Sequence, residues 1–153
     1  MRRKLRRRSD GSVRAVATAA KRLEFAVSVD RERTARTDGE APPLPAGEGW
    51  SSEHLLLAAL AKCTLTSLRY HARRADIEAT AEARAHGVVT RREEDGRYAF
   101  VAVELAFDVV LDPPLAGEPL RELLGSAERG CFIGNSLATP PRYRWTVEGE
   151  EIT

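Results

Sequence analysis

Phe25, Val27 and Val29 alternate with Ala26 and Ser28, and this strand-like period predicts a half-buried strand within the extended runs of Val13 to Val29. Asp30 to Asp38 is expected to return as a second arm. From Asp38 to Gly49 proline and glycine interrupt both regular periods, so the segment predicts a loop. At Ser51 the pattern changes. Leu55, Leu56, Ala59, Leu60, Cys63, Ser67 and Tyr70 recur at helical steps and predict a helix from Ser52 to Arg74. Ser51 or Ser52 suits the cap, Glu53 the positive N-terminal end, and Arg69, Arg73 and Arg74 the negative C-terminal end. Leu and Ala occupy almost every side between Leu55 and Ala61. The spacing therefore predicts burial on more than one face, as for a central helix or one shared between subunits.

From Ile77 to Arg91, Glu78, Thr80, Glu82 and Arg84 fall on one side of a strand and Ala79, Ala81 and Ala83 on the other. Glu93-Glu94-Asp95-Gly96 supplies a turn in which Asp-Gly tolerates positive φ, and Tyr98 to Leu111 resumes as the second strand of a long hairpin. Pro113-Pro114 ends it. Leu115, Leu120, Leu123, Leu124 and Ala127 mark a second helix that runs to Arg129 and stops at Gly130. Cys131 to Leu137 is a short further element, and Tyr143 to Glu148 reads as a last strand. This order does not alternate as strand–helix–strand units, so the fold class is α+β.

Composition narrows the function. The 153 residues, 42% hydrophobic and 31% charged, fit one globular domain and exclude collagenous and wholly disordered chains. The longest apolar run, Leu55 to Ala61, is far short of the ~20 residues of a membrane-spanning helix. The near-neutral charge of +1 conceals six cations among residues 1–8; the remainder carries 18 Lys and Arg against 23 Asp and Glu, a net of −5. That balance argues against a whole-domain basic face for nucleic acid and leaves only the tail to hold phosphates. Residues 1–12 are expected to be a basic disordered tail and residues 13–153 a single domain. Ser9-Asp10-Gly11-Ser12 follows the cations where a secretory signal would have its apolar stretch. With only two cysteines, the expectation is free thiols in a reducing compartment, the cytoplasm.

Cys63 lies on or beside the apolar stripe of the long helix, and Cys131 follows the glycine that ends the second helix. A buried cysteine often serves only as a small hydrophobe. It becomes reactive when nearby cations or a helix N-terminus hold it as thiolate. Cys131 can sit at such a terminus, whereas Cys63 in mid-helix needs an arginine brought to it by the fold. Spacing alone does not rank the two. His54, His71 and His86 have no metal-ligand spacing with the cysteines, so no metal site is expected. Gly47-Glu48-Gly49 lacks the lysine of a phosphate loop and reads as a hinge.

The stretch Ser51-Ser52-Glu53-His54-Leu55-Leu56-Leu57-Ala58-Ala59-Leu60-Ala61-Lys62-Cys63-Thr64 resembles the central-helix signature of the OsmC/Ohr family, the osmotically induced and organic hydroperoxide resistance proteins. Ala127 to Leu137, with Cys131, is similar to that family's second-cysteine segment. The resemblance implies an OsmC-like fold of N-terminal strands, long central helix, β-hairpin, second helix and C-terminal strand, in an intertwined homodimer. It also implies a function, the thiol-dependent reduction of organic hydroperoxides. Cys63 would then be the peroxidatic thiol and Cys131 the resolving one, with an external dithiol or lipoyl group as reductant and no bound cofactor. Glu53 would pair with an arginine that stabilises the thiolate. No Gly-Gly-Arg precedes the helix here, which leaves Arg31, Arg33 and Arg36, of which Arg36 is chosen. Ser52 and Phe132 stand where the family usually has proline, and neither change removes a reacting group. Trp50, Phe132 and Ile133 are the candidate walls of an apolar substrate pocket. Two other functions compete with this reading. One is a non-catalytic protein on the same scaffold that binds a small apolar ligand and whose cysteines only pack. The other is a tether to nucleic acid or an acidic surface through residues 1–8, removable by truncation.

Overall fold

The computed structural model describes residues 26–29, 34–37, 42–44 and 50–152. The predicted tail over 1–12, the extended run before Ala26, the candidates Arg31 and Arg33, and the Gly47-Glu48-Gly49 stretch lie outside the described residues. The chain divides into two compact units, Met1–Ala46 and Gly47–Thr153. In the first, β1 (Val27–Val29) pairs antiparallel with β2 (Ala35–Thr37), with Ser28 opposite Arg36. The strand and its returning arm lie where the alternation predicts, but Val27 and Val29 are 71% and 64% exposed, so the expected half-burial of β1 is not met.

The second unit begins with α1 (Ser52–Arg74), at the bounds expected from its periodicity. Ser51 caps it: the Ser51 hydroxyl accepts from the His54 amide at 3.3 Å, and His54 Nδ1 accepts from the Ser51 amide at 3.4 Å. Histidine here does the work that Glu or Gln usually does in a reciprocal cap. At the other end Asp76 takes a φ of 57°, while the Ile77 amide donates back to Ala72 at 2.9 Å and the Asp76 amide to Arg73 at 3.2 Å. This left-handed closure satisfies the last carbonyls and drops Ile77 into the core.

β3 (Glu78–Arg91) and β4 (Tyr98–Asp112) form the long antiparallel hairpin, with a register shift at Val88/Val89. Along β4 the buried residues are Val103, Leu105, Phe107, Val109 and Leu111, every second position, so one face of the sheet is covered. The small Ala79, Ala81, Ala83 and Ala85 side chains of β3 join that core and let α1 pack against the strand. α2 (Gly117–Arg129) lies against α1 with Leu120, Leu123, Leu124 and Ala127 buried, and α3 (Phe132–Ser136) closes onto both helices. β5 (Arg142–Val147) pairs parallel to β4, and β6 (Glu150–Ile152) pairs antiparallel to β5. The sheet order is β3-β4-β5-β6.

Two expectations need correction. β5 is not the last strand, because Glu148 and Gly149, with φ of 51° and 81°, turn the chain back into β6. Nor does Tyr70 belong to the buried stripe of α1. It is 56% exposed, edge-on to His71 and beneath the Arg74 guanidinium. The buried stripe is Leu60, Thr64, Ser67, Leu68 and Ala72, rotated toward the side on which β3, α2 and α3 pack. Leu55 to Ala59 are at most half-buried within one chain. Among the described residues no helix is long and apolar enough to cross a membrane.

Candidate active site

α1 and the turn after α2 bring the two cysteines together. Cys63 is half-buried, Cys131 is 0% exposed, and both are free thiols. Cys131 is the N-cap of α3, where its sulfur accepts from the Gly134 amide at 3.3 Å. Thr64 Oγ1 lies 3.3 Å from the same sulfur and 3.0 Å from the Leu60 carbonyl, so its single proton has two acceptors. The segment carrying Cys131 is tied down on both sides. Trp145 Nε1 donates to Glu128 at 2.8 Å, and Asn135 Nδ2 donates to the Arg129 carbonyl at 2.8 Å.

Burial is the largest influence on Cys63 and pushes its thiol above the ordinary cysteine value. The Ile133 amide opposes this, the neighbouring Cys131 thiol adds to it, and the Phe132 amide opposes it again. The first amides of α3 therefore face Cys63, although the sequence suggested that a mid-helix cysteine receives no help of this kind. Among the described residues no cation figures in these influences on Cys63. Tyr143 is pushed up to about 12, first by burial and then by charge on Cys131, against the Thr64 hydrogen bond. Its hydroxyl therefore remains protonated near neutral pH.

Glycine is required at position 134. A Cβ there would fall 2.6 Å from Tyr143 Oη, 3.4 Å from Cys131 Sγ and 3.5 Å from Leu60 Cδ1. The bare backbone lets α3 settle between the tyrosine and the sulfur. Thr64, Gly134 and Tyr143 were not among the residues singled out by sequence. Thr64 and Gly134 are legible in retrospect, one beside Cys63 and the other at the amide that an N-cap at Cys131 would bond. Tyr143 arrives only through the parallel pairing of β5.

Of the remaining candidates, Phe132 and Ile133 adjoin Cys63 through their amides. Glu53 is exposed in the first turn of α1, its carboxyl held below the usual range first by the Ser51 hydroxyl, then by its own amide and Ser52. Ten residues separate it from Cys63, about 15 Å along the helix axis, so it does not touch that thiol within one chain. Arg36 is exposed on β2, in the other unit. Trp50 and Phe132 are 56% and 60% exposed, and Ile133 is half-buried. A cavity of about 360 Å³ opens elsewhere, between α1 and α2, lined by His71, Ile77, Leu115, Glu122 and Leu123.

A family model described as OsmC-like protein matches residues 45–146, which hold both cysteine segments and most of the second unit. The chain belongs to the OsmC-like family. Its fold agrees with solved OsmC-like structures. An OsmC-like protein of unknown function from Vibrio cholerae is 18% identical with a TM-score of 0.69, covering 81% of this chain and 99% of that one. The organic hydroperoxide resistance protein OhrB of Bacillus subtilis is 18% identical with a TM-score of 0.58, covering 82% and 96%. An organic hydroperoxide resistance protein OsmC from Legionella pneumophila is 16% identical with a TM-score of 0.55, covering 85% and 98%. No curated protein matches this OsmC-like chain.

Proposed function

We propose that this OsmC-like protein reduces organic hydroperoxides through a peroxidatic Cys63 and a resolving Cys131. The observation that carries the reading is the asymmetric thiol pair, a half-buried Cys63 and a wholly buried Cys131 close enough to raise the Cys63 pKa. The names of several structural relatives support a peroxide substrate. The Cys63 thiolate attacks one peroxide oxygen; an S–O bond forms, the O–O bond breaks, and the alkoxide leaves as alcohol with a proton. The sulfenic acid then condenses with the Cys131 thiol, and the hydroxyl leaves as water. An external dithiol or lipoyl group supplies both electrons for regeneration, so the reading needs no cofactor bound to this chain. A reducing compartment such as the cytoplasm keeps such thiols ready.

A half-buried thiol with a raised pKa holds little thiolate at neutral pH, and in this reading Arg36 supplies positive charge. Glu53 orients that arginine and serves a thiol through it or across a homodimer. The exposed Trp50, Leu55 and Phe132 support a second copy and an apolar lining for the organic group. The raised pKa of Cys63, with no cation among its leading influences, favours a second reading in which the same scaffold binds a small apolar ligand and the cysteines only pack.

Peroxide consumption with a dithiol decides between them. Turnover of cumene hydroperoxide in preference to hydrogen peroxide, lost in Cys63→Ser, is the expected result. Absent turnover, or equal turnover in the variant, overturns the reductase reading in favour of ligand binding.

A further inference from the structure

Cys131 has more hydrogen-bond donors around its sulfur than packing requires. The Gly134 amide and the Thr64 hydroxyl each lie 3.3 Å from it. The position that a Cβ on Gly134 would take is 2.6 Å from Tyr143 Oη and 3.4 Å from Cys131 Sγ, so the tyrosine hydroxyl and the sulfur flank one small space. Tyr143 remains a neutral donor until about 12. Cys63 has a different setting, half-buried and at the accessible end of the pair. In thiol–disulfide exchange, access and the stability of the departing thiolate decide which sulfur is attacked. Access selects Cys63 for attack, and the Gly134 amide and Thr64 hydroxyl at the Cys131 sulfur favour its departure.

We propose that Thr64 and Tyr143, with the Gly134 amide, form a receiving site for the Cys131 thiolate, which directs an external thiol to the Cys63 sulfur when the Cys63–Cys131 disulfide is opened. The inference rests on the two-thiol reading above. The incoming thiolate forms a bond to Cys63 Sγ, the Cys63–Cys131 bond breaks, and its electron pair departs on Cys131. The second thiol of the reductant then displaces Cys63 and closes a disulfide within the reductant. Two cysteine sulfurs are reduced, two reductant sulfurs are oxidised, and the reductant's two protons end on the cysteines. Tyr143 is a positioning residue in this step, and it exchanges no electrons.

The test begins from full-length protein oxidised with diamide, which needs no peroxidase activity. A monothiol, 2-mercaptoethanol, is added and the mixed disulfide is located by peptide mass mapping. The adduct is expected on Cys63. Thr64→Val and Tyr143→Phe are each expected to slow opening by about tenfold, the scale of a lost hydrogen bond to a charged group. Thr64→Ser, which keeps the hydroxyl, should restore the rate. An adduct on Cys131 overturns the proposal, as do rates within about twofold of wild type in both variants. If a variant fails to fold by circular dichroism, the adduct position in the wild type still decides. Failure of diamide to link Cys63 and Cys131 overturns the two-thiol reading and this inference with it. A disulfide that forms but opens at Cys131 overturns the inference alone.

Discussion

At Cys63, burial and Cys131 raise the thiol, while the Ile133 and Phe132 amides pull the other way. A raised folded-state value has a definite consequence for pH. Stability from this group is fully present below the ordinary cysteine value and is lost as pH climbs through the folded value, because the unfolded chain releases its proton first. Tyr143 acts with the same sign between 10.0 and about 12. The urea midpoint of the wild type should therefore fall further between about pH 8 and about pH 11 than that of a Cys63→Ser, Tyr143→Phe double variant. Equal falls would show that neither group is raised in the folded protein. Gly134 sets a steric limit at the same place. Gly134→Ala should cost about 1–3 kcal/mol in urea unfolding, the usual scale of overpacking. It should also slow disulfide opening, because a methyl group 2.6 Å from Tyr143 Oη must push the ring from the sulfur. The cysteines were legible in the sequence because of their chemistry and the segments around them. Tyr143 was not, since a tyrosine gains a role here only from what the fold places opposite it, while Thr64 and Gly134 had only their places beside Cys63 and Cys131 as a signal.

Elements whose own residues dictate their ends were the most legible. α1 has a serine cap, a long run at helical spacing and basic residues in its last turn, and its bounds follow from them. Replacing the cap tests this: Ser51→Ala should destabilise by about 1 kcal/mol in urea unfolding, since the His54 amide loses its acceptor. A Ser51→Asp variant should recover most of that, and equal losses in both would exclude the cap as the cause. Periodicity placed Tyr70 wrongly because it fixes a helix's spacing but not which side its neighbours occupy. β6 went unread for a different reason. Its turn uses Glu148 with positive φ, where Asn, Asp or Gly is the usual signal. Tertiary bonds compensate, the Leu111 amide donating to Glu148 Oε1 at 2.9 Å and the Glu148 amide donating to the Val109 carbonyl at 3.0 Å. Local sequence contains no trace of those partners.

For the whole molecule, the order of elements made the α+β class legible, but the assembly of the site was not. Glu53 and Cys63 share one rigid helix about 15 Å apart, a distance that no side-chain rotamer closes. If Glu53 serves a thiol across a two-fold interface, each site takes its carboxylate from one chain and its sulfur from the other. Subunit mixing then separates the geometries. Glu53→Gln and Cys63→Ser are each expected to lose most peroxidase activity alone. After unfolding and refolding together in equal amounts, half the dimers carry one chain of each kind. Each of these has one site with both wild-type groups and one with neither, so the mixture should regain about a quarter of wild-type activity. With Glu53 and Cys63 working in the same chain, every site in the mixed dimer lacks one group, and mixing restores nothing. That outcome would place the action of Glu53 within its own subunit, through an arginine long enough to span the helix.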